Sequence, residues 1–235
     1  MAMTNKDTAI NKIAAEFEIL SNLVLSQLDK MVYAFENYDE KNNDFVNSKL
    51  IKNEIKIDKF EVKLDDLIIQ TIVLYKPMAS DIRQLFAIYH MLTDMERIGD
   101  LVIKVAHGAQ DINDKSLLLK SMPMLTKLMK LATKMVNRAL ISFLNHDKDE
   151  ALWVINKDNS VDELNQKMLK KSMSDIISNE DLTSLVETLL ELRSIISSIE
   201  RIGDHATNIA EAAIYFIDGK IIRHLDDSKT DDMVN

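Results

Sequence analysis

Glu96-Arg-Ile-Gly-Asp100 recurs unchanged as Glu200-Arg-Ile-Gly-Asp204, 104 residues further along the chain. The same offset carries Glu54 and Asp58 onto Asp158 and Asp162, Met31 and Val32 onto Met135 and Val136, and Ala106 onto Ala210. One register that relates acidic, apolar and glycine positions without a gap points to an internal duplication. Each half is then one supersecondary unit.

The local pattern says what that unit is. Ile13, Phe17, Leu20, Val24, Leu28, Met31 and Phe35 follow the spacing of one helix face, as do Leu85, Ile88, Leu92, Met95, Val102 and Ala106. Only 2 prolines and 4 glycines interrupt 235 residues, which favours long helices over a sheet with many turns. Helices are expected over about 8–37, from about 44 to Tyr75, and then to about Ala109. Pro77 closes the second of these, because proline lacks a donor and restricts the residue before it. In the second half, Ser121 with Pro123 reads as a cap followed by a first-turn proline, opening a helix to about Phe143. Asp147 with Glu150 has capping-box spacing and opens a fifth helix. Ser178 or Asn179 caps a sixth, which Gly219 stops after Asp218. The expected fold is all-α: two tandem antiparallel three-helix bundles, over 8–112 and 118–221, with a polar tail at 222–235.

Composition removes several classes of function. The hydrophobic fraction of 46% supports a packed core, so the chain is not a disordered one. A net charge of −9 opposes wholesale nucleic-acid binding. The absence of cysteine excludes disulfides, thiolate zinc sites and iron–sulfur clusters. Met1–Asn11 has no apolar signal-peptide core, and the apolar run Leu67–Tyr75 is short and broken by Gln70, so a cytoplasmic location is the default expectation. No Gly-rich phosphate loop, nucleophile elbow, His-Glu-x-x-His helix or Glu-x-x-His di-iron motif is found, and no enzyme is expected.

The acidic pairs carry the chemistry. Carboxylates four apart share one helix face and repel, unless they are solvated or a cation neutralises them. One such pair is ordinary surface; four pairs related by one offset point to metal. The residues nominated are Glu54, Asp58, Glu96 and Asp100 in the first unit, and Asp158, Asp162, Glu200 and Asp204 in the second. Oxygen-only donors suit magnesium, calcium or manganese, and bridging carboxylates also suit iron. Asn208 and Glu211 extend the second-unit stripe, where the first unit has Lys104 and His107. Arg97 and Arg201 lie off the acidic face and are expected to reach a neighbouring helix. Gly99 and Gly203 cost helix stability and imply close approach by a packed helix or by a bound ion. A carboxylate-bridged metalloenzyme and a metal-free helical scaffold stay open as rival readings.

Three segments resemble signature stretches of the PhoU family of phosphate-uptake regulators: Pro77-Met-Ala-Ser-Asp-Ile-Arg83, Asp94-Met-Glu-Arg-Ile-Gly-Asp100, and Ile199 to Glu211. The likeness covers roughly residues 8–221. It implies a cytoplasmic, dimeric, non-enzymatic regulator that restrains the phosphate-starvation response. Such a protein connects the ATPase subunit of a phosphate ABC transporter to a phosphate-sensing histidine kinase, and reaches the membrane only through its partners. The resemblance also implies multinuclear iron or zinc clusters on the eight nominated carboxylates. Lys104 stands where the family usually has asparagine, which predicts weaker occupancy of the first cluster than of the second.

Overall fold

The computed structural model describes residues 4–39, 45–46, 48–157 and 182–219. Among these residues there are six helices and no strand. They are α1 (Asn5–Glu36), α2 (Ser48–Tyr75), α3 (Ser80–Asp111), α4 (Lys115–Leu144), α5 (148–157) and α6 (Leu182–Asp218). The all-α reading and the duplicated plan both hold.

Helix ends follow local chemistry. Thr4 caps α1 through a reciprocal box with Asp7 (Asp7 N–H to Thr4 Oγ1 3.2 Å, Thr4 N–H to Asp7 Oδ2 3.0 Å). The α2–α3 hairpin turns at Lys76 and Ala79, both with positive φ, around a buried Pro77. Asp147 Oδ1 accepts the Asp149 and Glu150 N–H groups at 3.0 and 3.3 Å and opens α5 as expected. Gly219 ends α6 with φ +69°, a conformation that costs glycine nothing.

The start of α4 differs from the expectation at Ser121. The cap is Asp114, whose carboxylate accepts the Leu117 N–H at 2.9 Å, and the helix begins at Lys115. Ser121 lies inside it, donating back to the Leu117 carbonyl at 2.9 Å, and Pro123 is an interior proline. Asp114 is the stronger competitor because a carboxylate accepts from the positive helix end without rearrangement. The candidate caps Ser178 and Asn179 and the tail at 222–235 lie outside the described residues.

Within the first unit, α1, α2 and α3 pack on one another; α3 then packs extensively on α6, and α1 on α4. The core is therefore continuous across both halves. Its aliphatic rows include Phe17, Leu20, Val24 and Leu28 of α1 and Val102, Val105 and Ala106 of α3. An aromatic chain crosses the boundary between units. Phe17 of α1 meets Phe143 of α4 edge-on at 5.2 Å, and Phe143 meets Phe216 of α6 at 5.2 Å. Such contacts add about 0.5–1.5 kcal/mol each beyond their burial.

Candidate metal centre

The antiparallel α2–α3 pair brings the first-unit acids to one seam. Glu54, Asp58, Glu96 and Asp100 are all half-buried there. Burial pushes the Glu54 carboxyl above its ordinary value, and repulsion from Asp58 and from Asp100 on the facing helix adds to it. Glu96 is raised in the same way by burial and then by Asp100, with Arg97 opposing. Glu54 therefore feels Asp100, and Glu96 feels Glu61, across the two helices.

Two further carboxylates belong to this face and were not nominated. Glu61 is raised by burial, then by Asp58 and Asp65, so α2 carries an acidic row at 54, 58, 61 and 65. Their signal was the 4-3-4 spacing. They are not part of the repeat, because Asn165 and Leu169 stand at the corresponding positions. Alongside this row α2 exposes Ile51, Ile55, Val62, Ile69 and Val73 on one line of its outer surface. An aliphatic stripe of that length on a solvent face marks a contact surface rather than scattered apolar residues.

Arg97 corrects its expected role. Its side chain folds back on its own helix, Nε 3.4 Å from Glu96 Oε2 and one terminal nitrogen 3.7 Å from Asp100 Oδ2. A long flexible side chain spans the angular offset that its Cα position suggested would separate them. Both distances are loose, so the neutralisation is partial. Among the described residues, no three acidic or histidine side chains already close on one point as metal ligands do. The space before the two glycines is filled by side chains: Gln27 and Ile57 at 3.4 Å for Gly99, and Met135 at 3.7 Å for Gly203.

In the second unit Glu200 is half-buried and Asp204 exposed on α6, whereas Asp158 and Asp162 lie outside the described residues. Asn208 does not stand in an open ligand stripe. Its amide nitrogen donates to Asp94 Oδ1 at 3.0 Å, and His205 Nδ1 lies 2.8 Å from the same oxygen. This knot of α3 and α6 ties the two units together and was missed from the sequence. All three members break the duplication: Asp94 corresponds to Ser198, His205 to Leu101, and Asn208 to Lys104. Lys104 itself is exposed.

The fold and site thus define a duplicated helical protein with an acidic seam in the first unit. A PhoU domain model matches twice, over residues 17–109 and 125–213. A phosphate-specific transport system accessory protein PhoU homolog of Aquifex aeolicus is 33% identical, over 87% of this chain and 89% of that protein. A homolog of the same name from a Burkholderia species is 29% identical, over 93% of this chain and 91% of that protein. The crystal structure of PhoU from Pseudomonas aeruginosa superposes with a TM-score of 0.76 at 25% identity, covering 91% and 99% of the two chains. The chain belongs to the PhoU family. No helix among the described residues is long and apolar enough to cross a membrane.

Proposed function

We propose that this protein is a metal-binding regulator of phosphate uptake. It acts without catalysis in the cytoplasm as a homodimer, and restrains the phosphate-starvation response by linking a phosphate ABC transporter's ATPase subunit to a sensor histidine kinase. Relatives named as accessory proteins of the phosphate-specific transport system support the regulatory part. The observation that carries the metal part is the α2–α3 seam. There, burial and then neighbouring carboxylates on the two helices raise the protonation equilibria of Glu54 and Glu96, and Arg97 compensates only loosely.

The residues fit a cation in their chemistry. Every donor in the seam is a carboxylate oxygen, and the surplus negative charge is what a multivalent ion relieves. Glu54 and Asp58 from α2, with Glu96 and Asp100 from α3, would hold the ion; Asp158, Asp162, Glu200 and Asp204 would do so in the second unit. Iron or zinc is the expected occupant, with magnesium, calcium or manganese as hard-ion alternatives. The ion would supply positive charge that fixes two helices against each other. The chain's own contribution is to set those helices antiparallel, with the aliphatic stripe of α2 beside the acids, so that locking the seam also fixes a surface for partners.

Elemental analysis of purified protein, paired with phosphate uptake in cells lacking it, tests both halves of the reading. Bound metal together with derepressed uptake is expected. A metal-free adaptor is the second reading, favoured by Arg97 lying over Glu96 and Asp100 as a built-in cation. Absence of metal with derepression intact selects it.

A further inference from the structure

Helix α4 has six cations and no carboxylate in its 30 residues, inside a chain of net charge −9. Lys127, Lys130, Lys134 and Arg138 form one outward row at intervals of three and four. The row is not inherited from the duplicated scaffold, because Leu23, Ser26 and Ala34 stand opposite three of the four positions and only Lys30 repeats Lys134.

What the row binds is visible within the molecule. Glu36 from α1 pairs with Lys130, and Glu150 from α5 pairs with Arg138 at 2.8 Å. Lys134, Arg138 and Lys157 also gather on Trp153, at 5.0, 4.0 and 5.9 Å from its ring centre. Lys127 and Lys134 make no ion pair with another described residue. They stand about two turns apart in a row whose other members, Lys130 and Arg138, already hold carboxylates.

The row also borders a cavity of about 330 Å³ between α1 and α4. From α1 come Leu25, Asp29 and Val32, spaced i, i+4, i+7; from α4 come Lys130, Thr133, Lys134 and Asn137, spaced i, i+3, i+4, i+7. Two ridges, one with Leu25 and Val32 flanking the exposed Asp29 and the other with the cations Lys130 and Lys134, form a trough of the kind that receives a third helix. A flat bilayer surface does not enter a trough, and a bare polyanion leaves Leu25 and Val32 uncovered.

We propose that the α1–α4 groove receives an acidic amphipathic helix of a partner protein, its apolar residues on Leu25 and Val32 and its carboxylates on Lys127 and Lys134. This rests on the reading of the protein as a regulator that works by contact, and names the chemistry of one partner segment. The test places the photo-crosslinker p-benzoylphenylalanine at the exposed Asn137 of the full chain in its own cells, and maps the adduct by mass spectrometry. The expected adduct joins a segment of net negative charge with apolar residues at three- and four-residue spacing. Lys127→Glu combined with Lys134→Glu should cut its yield at least tenfold, with circular dichroism unchanged. Adducts to lipid, to nucleic acid, to a second copy of this chain or to a neutral or basic segment overturn the proposal, as does no adduct or a yield indifferent to charge reversal. Phosphate uptake is scored in the same cells. An absent adduct with repression intact sinks the groove and spares the regulatory reading.

Discussion

Helices α3 and α6 carry the same five-residue motif, yet their polar surroundings differ. Where they meet, Asp94 of α3 holds His205 and Asn208 of α6. At the positions related by the duplication, Ser198 turns back to the Ser194 carbonyl at 2.8 Å, Leu101 is buried and Lys104 is exposed. One side of the unit boundary is a polar knot, and the other is apolar packing with a solvated cation. The two halves share apolar core positions and the acidic pairs, and differ at the three residues of the knot that joins them. At Asp94, His205 and Asn208 the positions that break the repeat form a contact between its copies.

The largest effect should come from the apolar half of that boundary. Phe143→Ala removes the ring shared by Phe17 and Phe216, and is expected to destabilise the protein by about 3–5 kcal/mol in denaturant unfolding. A cost below about 1 kcal/mol would mean that the units do not depend on each other's core.

The polar half is sharper. Asp94→Ala leaves two part-buried donors without their acceptor and should cost about 1–3 kcal/mol, whereas Ser198→Ala should cost under about 1 kcal/mol. Equal costs in the same titration would erase the distinction between the two sides.

Lys104→Asn makes the first unit match the second at this position. It is expected to strengthen metal binding to the first unit by up to about tenfold, a gain of about 1.4 kcal/mol, read by calorimetry. Unchanged affinity would remove Lys104 from the account.

The smallest effect concerns pH. Glu54, Glu61 and Glu96 have folded-state protonation equilibria raised above their ordinary values. Their protonated forms are therefore favoured by folding. That contribution is complete below the ordinary glutamate range and is lost as pH rises through the raised values. Metal-free protein should thus gain stability on acidification from pH 7 into that range, and Glu61→Gln should flatten the trend. The change is of the order of 0.2–0.5 kcal/mol for each repelling pair. A steeper rise with pH in metal-free protein would contradict the sign.

Much of this was legible in the residues. Uninterrupted apolar periodicity gave the helices, Pro77 the hairpin, Asp147 the α5 cap and Gly219 the end of α6, because each acts through its own backbone or its nearest turn. The repeat register singled out Glu54, Asp58, Glu96 and Asp100, and Glu54 of α2 feels Asp100 of α3. Failures came where the outcome depended on competition or on a distant partner. Ser121 with Pro123 looked like a helix start, but Asp114 caps an earlier one. Arg97 depended on side-chain reach, not on its helical angle. Asp94 and His205 are 111 residues apart, so no local pattern joins them.

In the proposed function the α2–α3 seam holds a multivalent cation. Titrating iron or zinc into metal-depleted protein by calorimetry, beside the Glu54→Ala and Asp100→Ala variants, addresses it directly. The account predicts binding to the parent chain that falls at least tenfold in each variant while helical content stays constant. Binding that is absent, or that both variants leave unchanged, would contradict it.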